Sequence, residues 1–156
     1  MYLLIKLLHV VAVIAFLGNI ATGLFWHLHA AHTRDPRLLA HTMDGIISSD
    51  RLFTIPGVVV IVTTGIISAV TGGLPLLRTG WILWTLVLLT VSSVIFMAFV
   101  TPLQRQLLAL AQAGSGPGSF DYDGYARVAR RWDIWSAAAL LAPAAGLVLM
   151  VLKPAL

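Results

Sequence analysis

Histidine offers most of the chemistry in this sequence, because the other soft ligands and nucleophiles are scarce. There is no cysteine, so disulfides, thiolate metal sites and iron–sulfur clusters are excluded. Histidines stand at 9, 27, 29, 32 and 41. His9 lies about two turns into the first apolar run, where an ionisable side chain marks a functional-site hypothesis. A neutral imidazole at that depth can ligate haem iron or another metal, or relay a proton. It can equally hydrogen-bond to a carbonyl or hydroxyl on a neighbouring helix, and Thr63, Thr64, Ser68, Thr85, Thr90, Ser92 and Ser93 are available.

The second cluster is Trp26-His27-Leu28-His29-Ala30-Ala31-His32, with His41 and Asp44 nearby in sequence. Three imidazoles so close suggest a metal site at His27, His29 and His32. On a continuous helix, however, His27 points about 160° from His29 and about 140° from His32. A three-histidine site therefore needs the helix to end inside the motif, and the other reading is a solvated cluster at the membrane boundary. His27 shares a helix face with His9, five turns and about 27 Å further along, too far for both to serve one haem.

The elements that carry these histidines are membrane-spanning helices. Of 156 residues, 59% are hydrophobic and 10% charged, against roughly 25% charged in a soluble domain. Four runs near the ~20 residues needed to cross a bilayer cover about 2–26, 52–72, 81–103 and 134–152. The first is too long for the ~7–15-residue core of a signal peptide and reads as a retained helix. The expected architecture is all-α: one integral membrane domain over 1–156, an antiparallel four-helix bundle with no stretch left for a soluble catalytic domain.

The connections add detail. Asp35 at an N-cap and Pro36 at the first helical position predict a short interfacial helix, with Leu39, Met43, Ile46 and Ile47 on one stripe. It should end near Ser48, with Ser49 or Asp50 capping the second span. Gly72-Gly73-Leu74-Pro75 and Thr79-Gly80 predict a tight loop. The third helix should run to about Gln112, past a kink at Pro102, until Gly114-Ser115-Gly116-Pro117-Gly118 breaks it. The fourth should start early, near Asp121 to Asp123. Trp81, Trp84, Trp132 and Trp135 read as interfacial aromatics. Gly18, Gly23, Gly57, Gly65 and Gly146 allow close helix approach. Met150 falls at the same end of the bundle as His9, either as an axial ligand or as core filling.

The formal charge of +4 comes from basic residues at the ends of apolar runs, which points to lipid headgroups and topology, with no nucleic-acid partner.

Several short stretches resemble the HemJ-type bacterial protoporphyrinogen oxidases and the copper-resistance D-type membrane domains. They are Lys6-Leu7-Leu8-His9, Arg51-Leu52 with Ile55-Pro56-Gly57, Gly80-Trp81, Arg131-Trp132 and Val151-Leu152-Lys153-Pro154. The chain looks closest to a group of bacterial integral membrane proteins of unknown function, a divergent branch of that set. The resemblance implies a four-helix, haem-b-binding bundle in the bacterial inner membrane with His9 as axial ligand. Met150 would fill the second axial position, or that position would be open. The family's functional lysine falls on Thr85 and a common histidine on Leu83, which moves the expectation from protoporphyrinogen oxidation toward haem-linked redox or porphyrin handling. Thr85 would leave space for the macrocycle. The competing class is a cofactor-free partner or assembly factor for another membrane protein, or a homo-oligomer, using its small-residue faces and protruding hairpin.

Arg34, Arg37, Arg51, Arg105, Arg127, Arg130 and Arg131 lie on the side of the long connections, and Lys6, Arg78 and Lys153 on the other. The positive-inside rule then places both termini outside the cytoplasm. A fusion at Leu156 should give active alkaline phosphatase and dark green fluorescent protein; the opposite pair of readings reverses the orientation.

Overall fold

The structure, a computed structural model, describes residues 2–116 and 118–155. Its described residues are helical with short connections and no strand. Helix α1 spans Tyr2–Ala31, α2 Pro36–Ser49, α3 Ile55–Thr71, α4 Gly80–Ile95, α5 Thr101–Gly114 and α6 Tyr122–Leu152. A π-helical turn at Asp50–Thr54 joins α2 to α3, and a second at Phe96–Val100 joins α4 to α5. Four helices therefore have the length and composition to cross a membrane: Tyr2–Ala31, Pro36–Thr71, Gly80–Gly114 and Tyr122–Leu152.

Asp35 does cap α2, accepting from the Arg37 amide, and Asp121 caps α6, accepting from the Gly124 amide. At Gly73 the backbone turns left-handed, φ 68°, which costs glycine little. There the Leu74 amide reaches back to the Ala69 carbonyl and closes α3. The expected break after Ser48 does not occur. Ser49 Oγ donates back to the Ile46 carbonyl, the Asp50 amide stays bonded to Ile46 and Ile47, and α2 continues into α3.

The prolines explain the two π turns. A proline inside a helix has no N–H and its ring presses on the carbonyl four residues back. For Pro56 and Pro102 those carbonyls belong to Leu52 and Ala98, each inside a π turn. The wider turn accommodates the ring, and its i→i+5 bonds run from the Ile55 amide to the Asp50 carbonyl and from the Thr101 amide to the Phe96 carbonyl, which the Thr101 hydroxyl also reaches. What the sequence suggests as a kink at Pro102 is thus a π turn just before it.

Burial follows helical stripes. On α6 the buried positions are 125, 129, 132, 136, 139, 143 and 146. Their alternating spacing of four and three is the 3.5 period of left-handed helix packing. The small residues on this stripe let α4 come close. Ser92 Oγ donates to the Ala139 carbonyl at 2.6 Å and Thr85 Oγ1 to the Gly146 carbonyl at 3.2 Å. A Cβ on Gly146 would sit 3.1 Å from Thr85 Cγ2. The other close pair is α1 with α3, while α2 lies along α5. Leu39, Met43 and Ile46 there share one core with Leu103, Leu107, Ala111 and Tyr125.

The outward faces carry large apolar side chains, among them Leu3, Ile14, Val59, Leu141 and Val151. Soluble monomers rarely expose apolar patches beyond a few hundred Å², so these faces suit lipid. Leu107, fully buried in the α2–α5 core, is a critical packing residue. Leu107→Ala should lower stability by about 2–5 kcal/mol, and Leu141→Ala, on the outer face, by much less, as read by thermal unfolding in detergent.

Candidate functional site

Three regions bring polar side chains together inside the bundle. The first is at the end where the chain begins and finishes. His9 is half-buried on α1 and its Nδ1 lies 3.0 Å from both the Ile61 carbonyl and Thr64 Oγ1 on α3. Thr64 Oγ1 donates to the Val60 carbonyl at 2.5 Å. Nδ1 is therefore the protonated nitrogen, donating across the α1–α3 interface. The packing is close: a Cβ on Gly65 would stand 3.1 Å from His9 Cε1. The His9 Nε2 has no hydrogen bond to any described residue.

His9 lines an open cavity of about 680 Å³ between α1, α3, α4 and α6, within the roughly 300–1,000 Å³ of typical ligand pockets. Met150, Thr85 and Ser68 line the same cavity, so the structure brings together the three residues His9, Met150 and Thr85 that sequence reasoning pointed to. The Thr85 hydroxyl is already engaged, donating to the Trp81 and Gly146 carbonyls. Ser68 Oγ is buried and has no partner among the described residues. The remaining wall is mostly apolar, with Val13, Phe16, Leu86, Leu89 and Leu147, and two exposed lysines, Lys6 and Lys153, complete the lining. The Lys153 ammonium lies 5.6 Å from the centre of the Trp81 ring.

The second region lies toward the other end. Asp50, in the first π turn, is buried and accepts from Asn19 Nδ2 and Thr54 Oγ1 on one carboxyl oxygen, at 2.9 and 2.7 Å. Gln104 Nε2 donates to the other at 2.8 Å. Three helical segments, α1, the first π turn and α5, thus supply the donors. Sequence reasoning missed this site. Asp50 reads locally as a cap and Gln104 as part of a polar helix extension; the available signal was Asn19, an amide in the middle of an apolar span.

His27, His29 and His32 do not converge. His27 is fully buried, its Nδ1 3.0 Å from Asp133 Oδ1 and its Nε2 3.1 Å from the Tyr125 hydroxyl. With its proton on Nδ1 it donates to Asp133 and accepts from Tyr125, so both nitrogens are satisfied. His29 is on the outside, stacked on Phe25 at 6.1 Å. His32 Nδ1 bonds the Leu28 carbonyl at 2.7 Å. Among the described residues no group of three or more His, Asp, Glu or Cys is placed to hold a metal ion. His41 and Asp44 are exposed on α2. Trp132, expected in an interfacial belt, is instead buried beside His27, ring centres 4.6 Å apart.

Four helices of this length and apolar composition, with Asp50, His27, Gln104 and Ser92 buried between them, define an integral membrane protein. Residues 3–154 match the family described as predicted integral membrane protein (DUF2269), and the chain belongs to that family, whose function is unknown. No curated protein and no solved structure matches the chain.

Replacing Gln104 with Leu removes one of three donors to a buried carboxyl group, and an under-satisfied buried group costs about 1–3 kcal/mol. Gln104→Leu should therefore unfold at lower temperature than wild type; an unchanged midpoint would mean that the Asp50 cluster contributes nothing to the bundle.

Proposed function

We propose that this protein binds a tetrapyrrole of the haem b class within the membrane, with His9 Nε2 as the axial ligand, in a redox or porphyrin-handling role. The observation that carries the reading is the division of labour on the His9 ring. A metal-ligating histidine characteristically donates its other ring N–H to a carbonyl or similar acceptor, which fixes the tautomer and the ring plane. His9 Nδ1 does so to Ile61, Nε2 has no hydrogen bond to any described residue, and the His9 side chain lines a mostly apolar cavity. Met150, on α6 and lining the same cavity, is the candidate for a second axial position. Lys6 and Lys153 supply cationic partners suited to the carboxylates of such a ligand, and Ser68 Oγ an uncommitted hydroxyl. The residues present fit the group. When bound, it would supply one-electron chemistry, and the apolar surroundings would tune its potential.

The correspondence of His9 with the haem-ligating histidine of the HemJ-type enzymes adds support, and Thr85 at the position of their lysine argues against the same oxidation. The setting proposed is the bacterial inner membrane with both termini outside.

A second reading has its own observation. The His9 hydrogen bond to Ile61 and Thr64 across a close α1–α3 interface is the contact expected of a purely structural histidine. On that reading the protein is a cofactor-free partner or assembly factor for another membrane protein, or for a second copy of itself.

Gently purified wild type, expressed with haem supplementation, should show a Soret band, and His9→Ala should lose it while keeping its helical circular dichroism. Carbon monoxide should shift the reduced band if the second axial position is open and leave it in place if Met150 holds it. Wild type without the band would favour the cofactor-free reading.

A further inference from the structure

Away from the His9 cavity, a second and much smaller cavity lies at the centre of the bundle. Its volume is about 10 Å³, and Asn19, Asp50, Gln104, Trp132 and Ser136 are on its wall. Two of these are more than nine-tenths buried and have orphaned polar atoms: Trp132 Nε1 and Ser136 Oγ make no hydrogen bond to any described residue. Both π turns reach this spot, the first through Asp50 and the second through Phe96 and Val100. π turns recur where a helix is adapted to a site.

The donor and acceptor types on the wall restrict what can bind. The indole N–H only donates, so the occupant must accept. The Asp50 carboxyl oxygens have three donors where such a pair can accept about four, so an occupant that also donates is matched there. A metal cation cannot accept from the indole, and an anion beside a carboxylate is repelled. The space is about that of one water molecule, which needs two to four polar partners.

We propose that this cavity is a binding site for a single water molecule, held between the Trp132 indole N–H and Ser136 hydroxyl of α6 and the Asp50 carboxyl group of the first π turn. The water completes the coordination of Asp50. It also joins α6 to the Asn19–Asp50–Gln104 cluster, to which α6 makes no direct side-chain hydrogen bond among the described residues. The site is independent of any ligand at His9.

Ser136→Ala gives a test by sign. If water bridges the site, the variant loses a hydrogen bond and its unfolding midpoint falls, by about 2–4 °C for a chain of this size. If the hydroxyl is a true orphan, removing it is neutral or raises the midpoint. A wild-type structure in a lipid nanodisc, at a resolution that shows ordered water, gives a second readout free of any variant. A density peak within hydrogen-bond distance of Trp132 Nε1 and Ser136 Oγ is expected. A midpoint that is unchanged or raised in Ser136→Ala, or a site without that peak, overturns the proposal.

Discussion

A buried carboxyl group in a bundle surrounded by lipid has to find its hydrogen bonds inside the bundle, and in this protein Asp50 finds them on different helices. Asn19 comes from α1, Thr54 from the same π turn and Gln104 from the start of α5. Each helix is thereby fixed in register as well as in neighbour. A slide of one helical turn, 5.4 Å, would carry the donor out of reach and leave the carboxyl group uncompensated. Apolar packing between helices in lipid has no such single solution, because the lipid tails are as apolar as the side chains they replace.

The π turns make this arrangement compatible with helices that also span the membrane. Each stands immediately before a proline, Pro56 or Pro102, and gives the ring room without breaking the helix. The extra residue in a π turn also rotates the downstream helix relative to the upstream one. The α2 stripe of Leu39, Met43 and Ile46 faces the α5 side chains Leu103, Leu107 and Ala111, while beyond the turn Ile61 of α3 packs against Ala12 and Phe16 of α1. One continuous helix thus serves two different neighbours, and Asp50 sits where the change takes place.

The sequence discloses those features that depend on neighbours in the chain. Apolar runs locate the four spans, Asp35-Pro36 the start of α2, Asp121 the start of α6, and the glycine-rich loops the turns. Small residues on α6 foreshadow its approach to α4. Local rules fail where a partner is distant. Asp50 next to Ser49 has the signature of a cap, and nothing nearby reveals that Asn19 and Gln104, 31 and 54 residues away, need it. The histidine cluster fails for the same reason: helical geometry separates His27 from His29 and His32, but its partner Asp133 is 106 residues distant. His9 is conspicuous for its depth; that its Nδ1 rather than Nε2 is consumed depends on where Ile61 falls on another helix.

The polar interactions and the core are distributed unevenly along the bundle, and this bears on what the cavity at His9 can do. The larger buried core, from Ala30 through Leu39, Met43 and Leu107 to Trp132, lies toward the long connections, together with Asp50 and His27. The smaller core of Ala12, Phe16, Ile20, Ile61 and Leu89 is nearer the middle. At the end with the termini the helices border an open cavity of about 680 Å³ and are held across α1–α3 by the His9 bonds and across α4–α6 by Thr85. Among the described residues no side-chain hydrogen bond joins one pair to the other at this end, whereas toward the far end Asp50 ties α1 to α5. A bundle stabilised at one end can leave the other open without losing its fold, which is the division that the ligand site proposed at His9 requires.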